Sequence, residues 1–180
     1  AEDKGHTTTA QLFRQCAAPP QPAAASPAAP PDAGEPAKSS PAASLPVEIL
    51  DSAKRGELQK VTKWLRKGGR VGALCSDTTV GGQLSTITLL HAAAAHDQLE
   101  MVRELLKRGA SIDLQSSLGG TALMIAAGLG RLSIVLVLLQ HSANPDLQDI
   151  DGGTALMQAA SGGREACVKA LLRAKANTEL

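Results

Sequence analysis

The side chains that most often bind metal ions or act as nucleophiles do not stand at reactive spacings in this chain. The histidines form no H-E-x-x-H pair, which would place two imidazoles on one helix face around zinc, and the cysteines form no C-x-x-C pair. The four histidines are His6, His91, His96 and His141, and the three cysteines are Cys16, Cys75 and Cys167. We therefore expect neither a metal site nor a cofactor.

Two of the cysteines are expected to differ in reactivity because their surroundings differ. Cys167 occupies a position in the sequence pattern that apolar Met101 and Ile134 occupy elsewhere, so we expect a buried and unreactive thiol. Cys75 stands in an irregular turn, and we expect it to be the more reactive of the two. Neither thiol is predicted to serve as a catalytic nucleophile.

Glycine-rich and acidic stretches also carry no catalytic signature. No G-x-x-x-x-G-K-[ST] loop is present to hold phosphates, and GLGRLS at Gly128–Ser133 is better explained as a turn between helices. Asp149 and Asp151 flank a Gly-rich turn, where aspartate is favoured because its side chain bonds to nearby backbone N–H groups. The sequence thus predicts a protein that is not an enzyme and has no small-molecule substrate.

Composition and charge argue against several classes of partner. The 180 residues contain 18 Lys and Arg against 17 Asp and Glu, so a net charge of +1 gives no general attraction to nucleic acid or acidic membranes. Phe13 and Trp64 are the only aromatic side chains, which predicts an aliphatic core. No apolar run approaches the ~20 residues of a membrane span. Three widely spaced cysteines favour a reducing, intracellular and cytoplasmic setting.

The six letters GGTALM occur twice, at Gly119–Met124 and Gly152–Met157, 33 residues apart. Other residues keep the same period: Thr88, Thr121 and Thr154; Leu105, Leu138 and Leu171; Ala110, Ala143 and Ala176. A period of about 20–50 residues indicates a solenoid built from one repeated unit. Each unit is predicted to contain a Gly-rich turn, a threonine that caps a short Ala-rich helix, and a second, amphipathic helix.

These residues resemble the ankyrin repeat, whose unit of about 33 residues carries the pattern T-P-L-H-x-A. The matching stretches are TLLHAA, TALMIA and TALMQA; the proline of the family is replaced in all three, and its histidine survives only as His91. We expect Met124 and Met157 to lose the polar contacts that this histidine makes in the family. The resemblance implies an all-α solenoid of stacked helix-turn-helix units with short β-hairpin turns, and a protein partner.

The 33-residue frame divides the chain into segments. They are a partial ankyrin-like repeat at 1–15, a Pro- and Ala-rich linker at 16–46, and an ankyrin repeat domain at 47–180, with a degenerate capping repeat at 47–79 and repeats near 83–115, 116–148 and 149–180. Val47 takes the threonine position of the capping repeat, and the eight extra residues before Thr88 must lengthen the intervening turn. Because residues 1–15 match the second half of a repeat, we hypothesise a fragment of a longer multi-array protein.

The capping repeat is strongly basic. Seven basic residues lie between Lys54 and Arg70, with Glu57 as the single acidic residue among them. Such a cluster is either a solvated capping face or a docking patch for an acidic partner, and the first interpretation is favoured. It lacks the interleaved aromatic residues of a nucleic-acid reader.

Protruding hairpins and first helices together form the concave face of such a solenoid, where ankyrin-like proteins usually hold their partner. The positions predicted to lie there are Ala95, His96, Ser117, Leu118, Gly120, Gly128, Leu129, Ile150, Asp151, Gly153, Ser161 and Gly162. Leu118, Leu129 and Ile150 are predicted to be exposed apolar anchors, although singly exposed apolar residues are also ordinary on protein surfaces. Leu136 is unusual because its equivalents, Arg103 and Lys169, are charged.

The sequence therefore favours a protein–protein interaction module that binds a partner through this face. Two alternatives remain open. The chain could serve as a structural spacer or scaffold segment in a multi-array protein, or as the regulatory arm of an enzyme whose catalytic domain lies elsewhere.

Overall fold

The computed structural model describes residues 44–78, 82, 84–174 and 176. The chain divides into two parts, Ala1–Lys38 and Ser39–Leu180, and all described residues belong to the second. The partial repeat expected at residues 1–15 and nearly all of the linker expected at 16–46 therefore lie outside the described residues.

The described residues form eight helices and one two-stranded antiparallel sheet. In chain order they are α1 (Val47–Lys54), α2 (Leu58–Arg66), β1 (Cys75–Thr78), β2 (Leu84–Ile87), α3 (Leu89–Ala95), α4 (Leu99–Lys107), α5 (Ala122–Leu129), α6 (Leu132–Gln140), α7 (Ala155–Ser161) and α8 (Glu165–Arg173). Consecutive helices pack in pairs, which we call unit 1 (α1 and α2), unit 2 (α3 and α4), unit 3 (α5 and α6) and unit 4 (α7 and α8). The predicted helical solenoid with hairpin turns is confirmed.

The units stack in chain order. Each first helix packs on the next first helix, from α1 through α3 and α5 to α7, while α6 lies between α4 and α8. The first helices can approach closely because alanines such as Ala93, Ala126 and Ala159 are fully buried at their centres. The core is aliphatic, as expected, with Leu105 and Leu138 among its fully buried side chains.

Threonine takes the N-cap position of the first helix in units 2, 3 and 4, as the sequence indicates. The Thr121 hydroxyl oxygen accepts a hydrogen bond from the backbone N–H of Met124 at 3.3 Å, which satisfies a donor that the helix leaves free. Unit 1 differs from the prediction, because Pro46 takes the capping position and Val47 is already the first helical residue. Proline suits a helix start, where its missing N–H would have had no helical partner.

The extra eight residues do lengthen the turn between units 1 and 2, where they form the β1–β2 hairpin in a register that pairs Cys75 with Ile87. The sequence predicts an irregular turn at Cys75, but Cys75 lies within strand β1, where its side chain is buried. Its thiol pKa is raised by burial and then by the Asp77 carboxylate. That Cys75 is the more reactive of the two thiols stays a prediction. Cys167 is buried in unit 4, as predicted, and burial raises its pKa too.

Candidate protein-binding groove

Backbone hydrogen bonds join strand β2 to a turn at 116–120, and that turn to a second turn at 149–153. The Ser116 N–H donates to the Gly120 carbonyl and the Asp149 N–H donates to the Gly153 carbonyl, and we call these two turns the hairpin tips of units 3 and 4. The N–H of Ser117 donates to the carbonyl of Thr86 at 3.3 Å, and the N–H of Ile150 donates to the carbonyl of Leu118 at 3.3 Å. The Gln115 amide adds a bond from Nε2 to the carbonyl of Gln148 at 2.8 Å. Together these bonds hold the hairpin tips side by side, next to the first helices of the units. A groove lies between the hairpin tips and these helices.

This groove has a volume of about 550 Å³ and runs from unit 1 to unit 4. Ten of the twelve residues predicted for the concave face line it: Ala95, His96, Leu118, Gly120, Gly128, Leu129, Ile150, Asp151, Ser161 and Gly162. The other two serve the hairpins instead. The Ser117 hydroxyl lies 3.1 Å from the Ser85 hydroxyl and accepts from the Thr86 N–H at 3.0 Å. The Gly153 N–H donates to the Asp149 carboxylate at 2.7 Å.

The three expected apolar anchors are not equally exposed. The Ile150 side chain is 66 % exposed, as predicted, whereas Leu118 and Leu129 are only partly exposed. Leu118 is partly covered because the next hairpin bonds directly to its carbonyl. Leu129 is partly covered by the turn between α7 and α8, because Arg164 Nε of that turn donates a hydrogen bond to the carbonyl of Gly128 at 3.2 Å. Both leucines thus form the floor of the groove, and Ile150 stands at its edge.

Several residues of the groove were not anticipated from the sequence. Lys54 Nζ lies 2.8 Å from Asp77 Oδ2, and this ion pair joins α1 to the hairpin at one end of the groove. Asp77 belongs to the inserted residues, so the 33-residue frame gives it no equivalent position. Ile125 and Gln158 also line the groove. Their phase alone could have identified them, because they stand 33 residues apart on the same face of two first helices.

The Asp149 carboxylate organises the last hairpin. It accepts hydrogen bonds from the N–H groups of Asp151 at 3.0 Å and Gly153 at 2.7 Å, and from Gln158 Nε2 at 3.0 Å. Asp149 is therefore a turn former, as the sequence indicates, whereas Asp151 is exposed and turns a negative charge to the groove.

His91 connects unit 2 to the hairpin of unit 3 from the wall of the groove. Its Nδ1 accepts from the Thr88 N–H at 3.3 Å, which leaves the proton of the neutral ring on Nε2, where it donates to the carbonyl of Gly120 at 3.1 Å. The Thr88 hydroxyl lies 2.8 Å from Nδ1. Burial lowers the pKa of His91 below its ordinary value of 6.5, because the imidazolium would lose its water.

We expect the stability of this chain to fall as the pH is lowered through the ordinary range of histidine. His91 stays neutral in the folded protein while the unfolded chain takes up a proton below pH 6.5, so the free energy of unfolding decreases by at most about 1.4 kcal/mol per pH unit. Urea unfolding between about pH 8 and about pH 5 measures this slope. His91→Met, which places there the residue that units 3 and 4 carry, should remove it. An equal slope in that variant would contradict the assignment.

Methionine partly replaces the histidine in unit 3, contrary to expectation. The N–H of Thr121 points at Met124 Sδ at a distance of 3.4 Å, a weak sulfur hydrogen bond that completes the same cap. The thioether has no second polar atom, however, so the side chain cannot donate to the next hairpin as His91 does. Unit 3 depends instead on backbone contacts such as the bond between Ile150 and Leu118.

Part of the basic charge of unit 1 is neutralised locally. Lys54 pairs with Asp51 and Asp77, and Arg55 and Lys60 both pair with Glu57, whose pKa is lowered first by the hydrogen bond from Lys60. Within the described residues, the remaining cations form no ion pair: Lys63, Arg66, Lys67 and Arg70. Both sequence interpretations of this cluster, a solvated cap or an acidic docking patch, remain compatible with these contacts.

The part of the chain that the structure describes contains no group of three or more His, Cys, Asp or Glu side chains that could hold a metal ion. None of its helices combines the length and the apolar character needed to cross a membrane.

Stacked helix pairs, hairpin tips in a row and a groove along one face define a helical repeat solenoid. A family model described as "Ankyrin repeats (3 copies)" matches residues 50–149 and again residues 90–180. These matches cover most of the chain, so the protein belongs to the ankyrin-repeat family, and the resemblance seen in the sequence is confirmed. Ankyrin repeats are in general protein–protein interaction modules. No curated protein matches the chain in sequence.

Proposed function

We propose that this protein is a non-catalytic recognition module that binds a partner protein in the groove between its hairpin tips and first helices. The observation that supports the proposal is the continuous groove, which contains ten of the residues predicted for the concave face. Leu118 and Leu129 give it an apolar floor, and Ile150 adds an apolar side chain at its edge.

The chemistry of the groove indicates what the partner presents. An apolar side chain of the partner would displace water from Leu118 and Leu129, which is the main favourable contribution in such contacts. Asp151 and His96 are both exposed beside this floor, so polar groups of the partner would be bound at the rim. A surface loop or an extended segment with one or two apolar residues fits this arrangement.

The test is affinity capture from a cell extract with the whole chain as bait, beside a Leu118→Asp, Ile150→Asp double variant. Charge on the floor and at the edge of the groove should reduce capture of a true partner at least ~100-fold, because both carboxylates would be desolvated on binding. Leu136→Asp is the matched control, since Leu136 is 43 % exposed on α6 and does not line the groove. Circular dichroism should show equal helicity in all three proteins.

A partner that is captured by the parent and the control but lost by the double variant would support the proposal. Equal capture by all three proteins would exclude the groove as the binding site. Such a result would favour the spacer role, in which the length of the linker matters and the groove does not.

A further inference from the structure

Unit 1 carries a second depression in its surface, which is lined by residues of α1 and α2 and has a volume of about 520 Å³. We call it the cap depression; its apolar lining is formed by Ile49 and Trp64, which also pack against the core. Among the described residues, none lines both the cap depression and the groove. Unit 1 therefore has a concave surface of its own.

The Trp64 side chain is partly exposed in the cap depression and is held in place by the turn that follows α2. A Cβ built on Gly69 would collide with the indole ring, so the backbone at Gly69 packs directly against that ring. The Gly69 N–H also donates to the carbonyl of Trp64 at 3.2 Å. A partner that packs on this indole does not have to order it first, and tryptophan is among the residues that contribute most to binding between proteins.

The charge around the cap depression is predominantly positive. Asp51 lies 3.7 Å from Lys54 Nζ, and Glu57 pairs with two of the bases, so these carboxylates are already used. Within the described part of the chain, Lys63 and Lys67 form no ion pair. In total, four basic side chains line the cap depression against two carboxylates: Arg55, Lys60, Lys63 and Lys67 against Glu48 and Asp51.

The equivalent helix of unit 2 carries similar basic residues but neutralises them. In α4, Arg108 Nε lies 2.7 Å from Glu104 Oε1. In α2 the position of Glu104 is taken by Lys63 and that of Arg108 by Lys67, so two lysines stand where α4 has an ion pair. Like charges four residues apart on a helix oppose each other. A solvated face favours the pattern of α4, whereas an anionic partner favours that of α2.

We propose that the cap depression is a second docking site, which binds an acidic segment of a partner protein that carries one apolar residue. The apolar residue packs on Trp64 and Ile49, and the flanking carboxylates accept hydrogen bonds from Lys63 and Lys67. Trp64 is the only aromatic residue among those described, whereas a single strand of nucleic acid stacks successive bases on several rings. This site is independent of the function proposed for the groove.

Trp64 reports on this site directly, because it is the only tryptophan of the 180 residues, which contain no tyrosine. The probe is a short synthetic peptide of glutamates and aspartates around one central leucine. Titrated into residues 1–180, it should change the Trp64 emission to saturation and protect the indole from quenching by acrylamide. Raising the salt concentration from about 0.05 M to about 0.5 M should weaken binding at least ~10-fold, because exposed charges are then screened.

Two further peptides test the two parts of the proposed segment on the unmodified protein. Replacement of the central leucine by glycine should weaken binding about 10-fold, because the apolar contact with Trp64 is lost. Replacement of the acids by glutamine and asparagine should abolish binding. Since no variant of the protein is needed here, these comparisons do not depend on whether a substitution affects folding.

Lys63→Glu, Lys67→Glu tests the residues and is expected to weaken binding of the acidic peptide at least ~10-fold. The first of these changes introduces the residue that α4 carries, so the helix should form as before, which urea unfolding checks. Arg103→Glu, Lys107→Glu is the matched control, because it changes the net charge equally at residues that do not line the cap depression. We expect less than ~3-fold weaker binding there.

Four results would overturn the proposal. The peptide could leave the Trp64 emission unchanged. The control on α4 could weaken binding as much as the substitutions on α2, which would indicate general attraction between charges. A single-stranded oligonucleotide could bind more tightly than the peptide, which would identify a nucleic acid as the ligand. Trp64 could also be fully shielded from acrylamide in residues 1–180 alone, which would mean that another part of this chain covers the surface.

Discussion

Gly119→Ala is expected to lower the free energy of unfolding by about 2–5 kcal/mol. Gly119 has a φ of +74°, where a side chain costs about 1–2 kcal/mol by itself. The new Cβ would also lie 2.8 Å from the Asp149 Cα and from the Ile150 nitrogen, so the hairpin of unit 4 would have to move away. That movement breaks the bond from Ile150 to the carbonyl of Leu118.

Gly152→Ala is the matched control, because it lies in the same GGTALM motif and has a φ of +79°. No atom lies within 4 Å of its new Cβ, so only the cost of the left-handed conformation, about 1–2 kcal/mol, is expected. Urea unfolding of both variants of residues 1–180, followed by circular dichroism, measures the difference. Equal destabilisation would show that contact between hairpins contributes nothing to the stability of the array.

Leu138→Ala is expected to destabilise the protein by about 2–5 kcal/mol. Leu138 lies fully buried in α6, the second helix of unit 3, which packs against both α4 and α8. Removal of three carbon atoms leaves a cavity that the surrounding helices cannot fill without moving. Because each unit of a solenoid depends on its neighbours, the loss weakens the stacking of unit 4 as well as unit 3.

Leu136→Ala provides the comparison for this substitution, since it removes the same atoms from the same helix. Leu136 is exposed, so a change within about 0.5 kcal/mol is expected. Thermal and urea unfolding of the two variants should therefore differ clearly in midpoint at similar helix content. A large effect at Leu136 would mean that another surface covers α6 in solution, and a small effect at Leu138 would contradict the assigned core.

The recurrence of residue types at a spacing of 33 determines much of the architecture of this protein. It identified the helix pairs, the capping role of Thr121, the burial of Cys167 and the exposure of Leu136. It also selected most of the groove residues. This was possible because the position of a residue within the 33-residue repeat decides on which face of the stack its side chain lies.

Tertiary structure decided whatever depends on a neighbouring unit or on residues outside the period. Cys75 is buried because the inserted residues form a hairpin, which the 33-residue frame could not describe. Asp77 reaches Lys54 for the same reason. Leu118 is half covered because the next hairpin bonds to its carbonyl.

Met157 shows, at a single residue, what the sequence determines and what the tertiary structure decides. Its sequence position is equivalent to that of Met124, yet its exposure is ten times greater, 43 % against 4 %. The sequence determines which face a side chain belongs to, because local backbone geometry repeats from unit to unit. Only the stacked structure decides whether that face is covered, because burial depends on which helices pack against it.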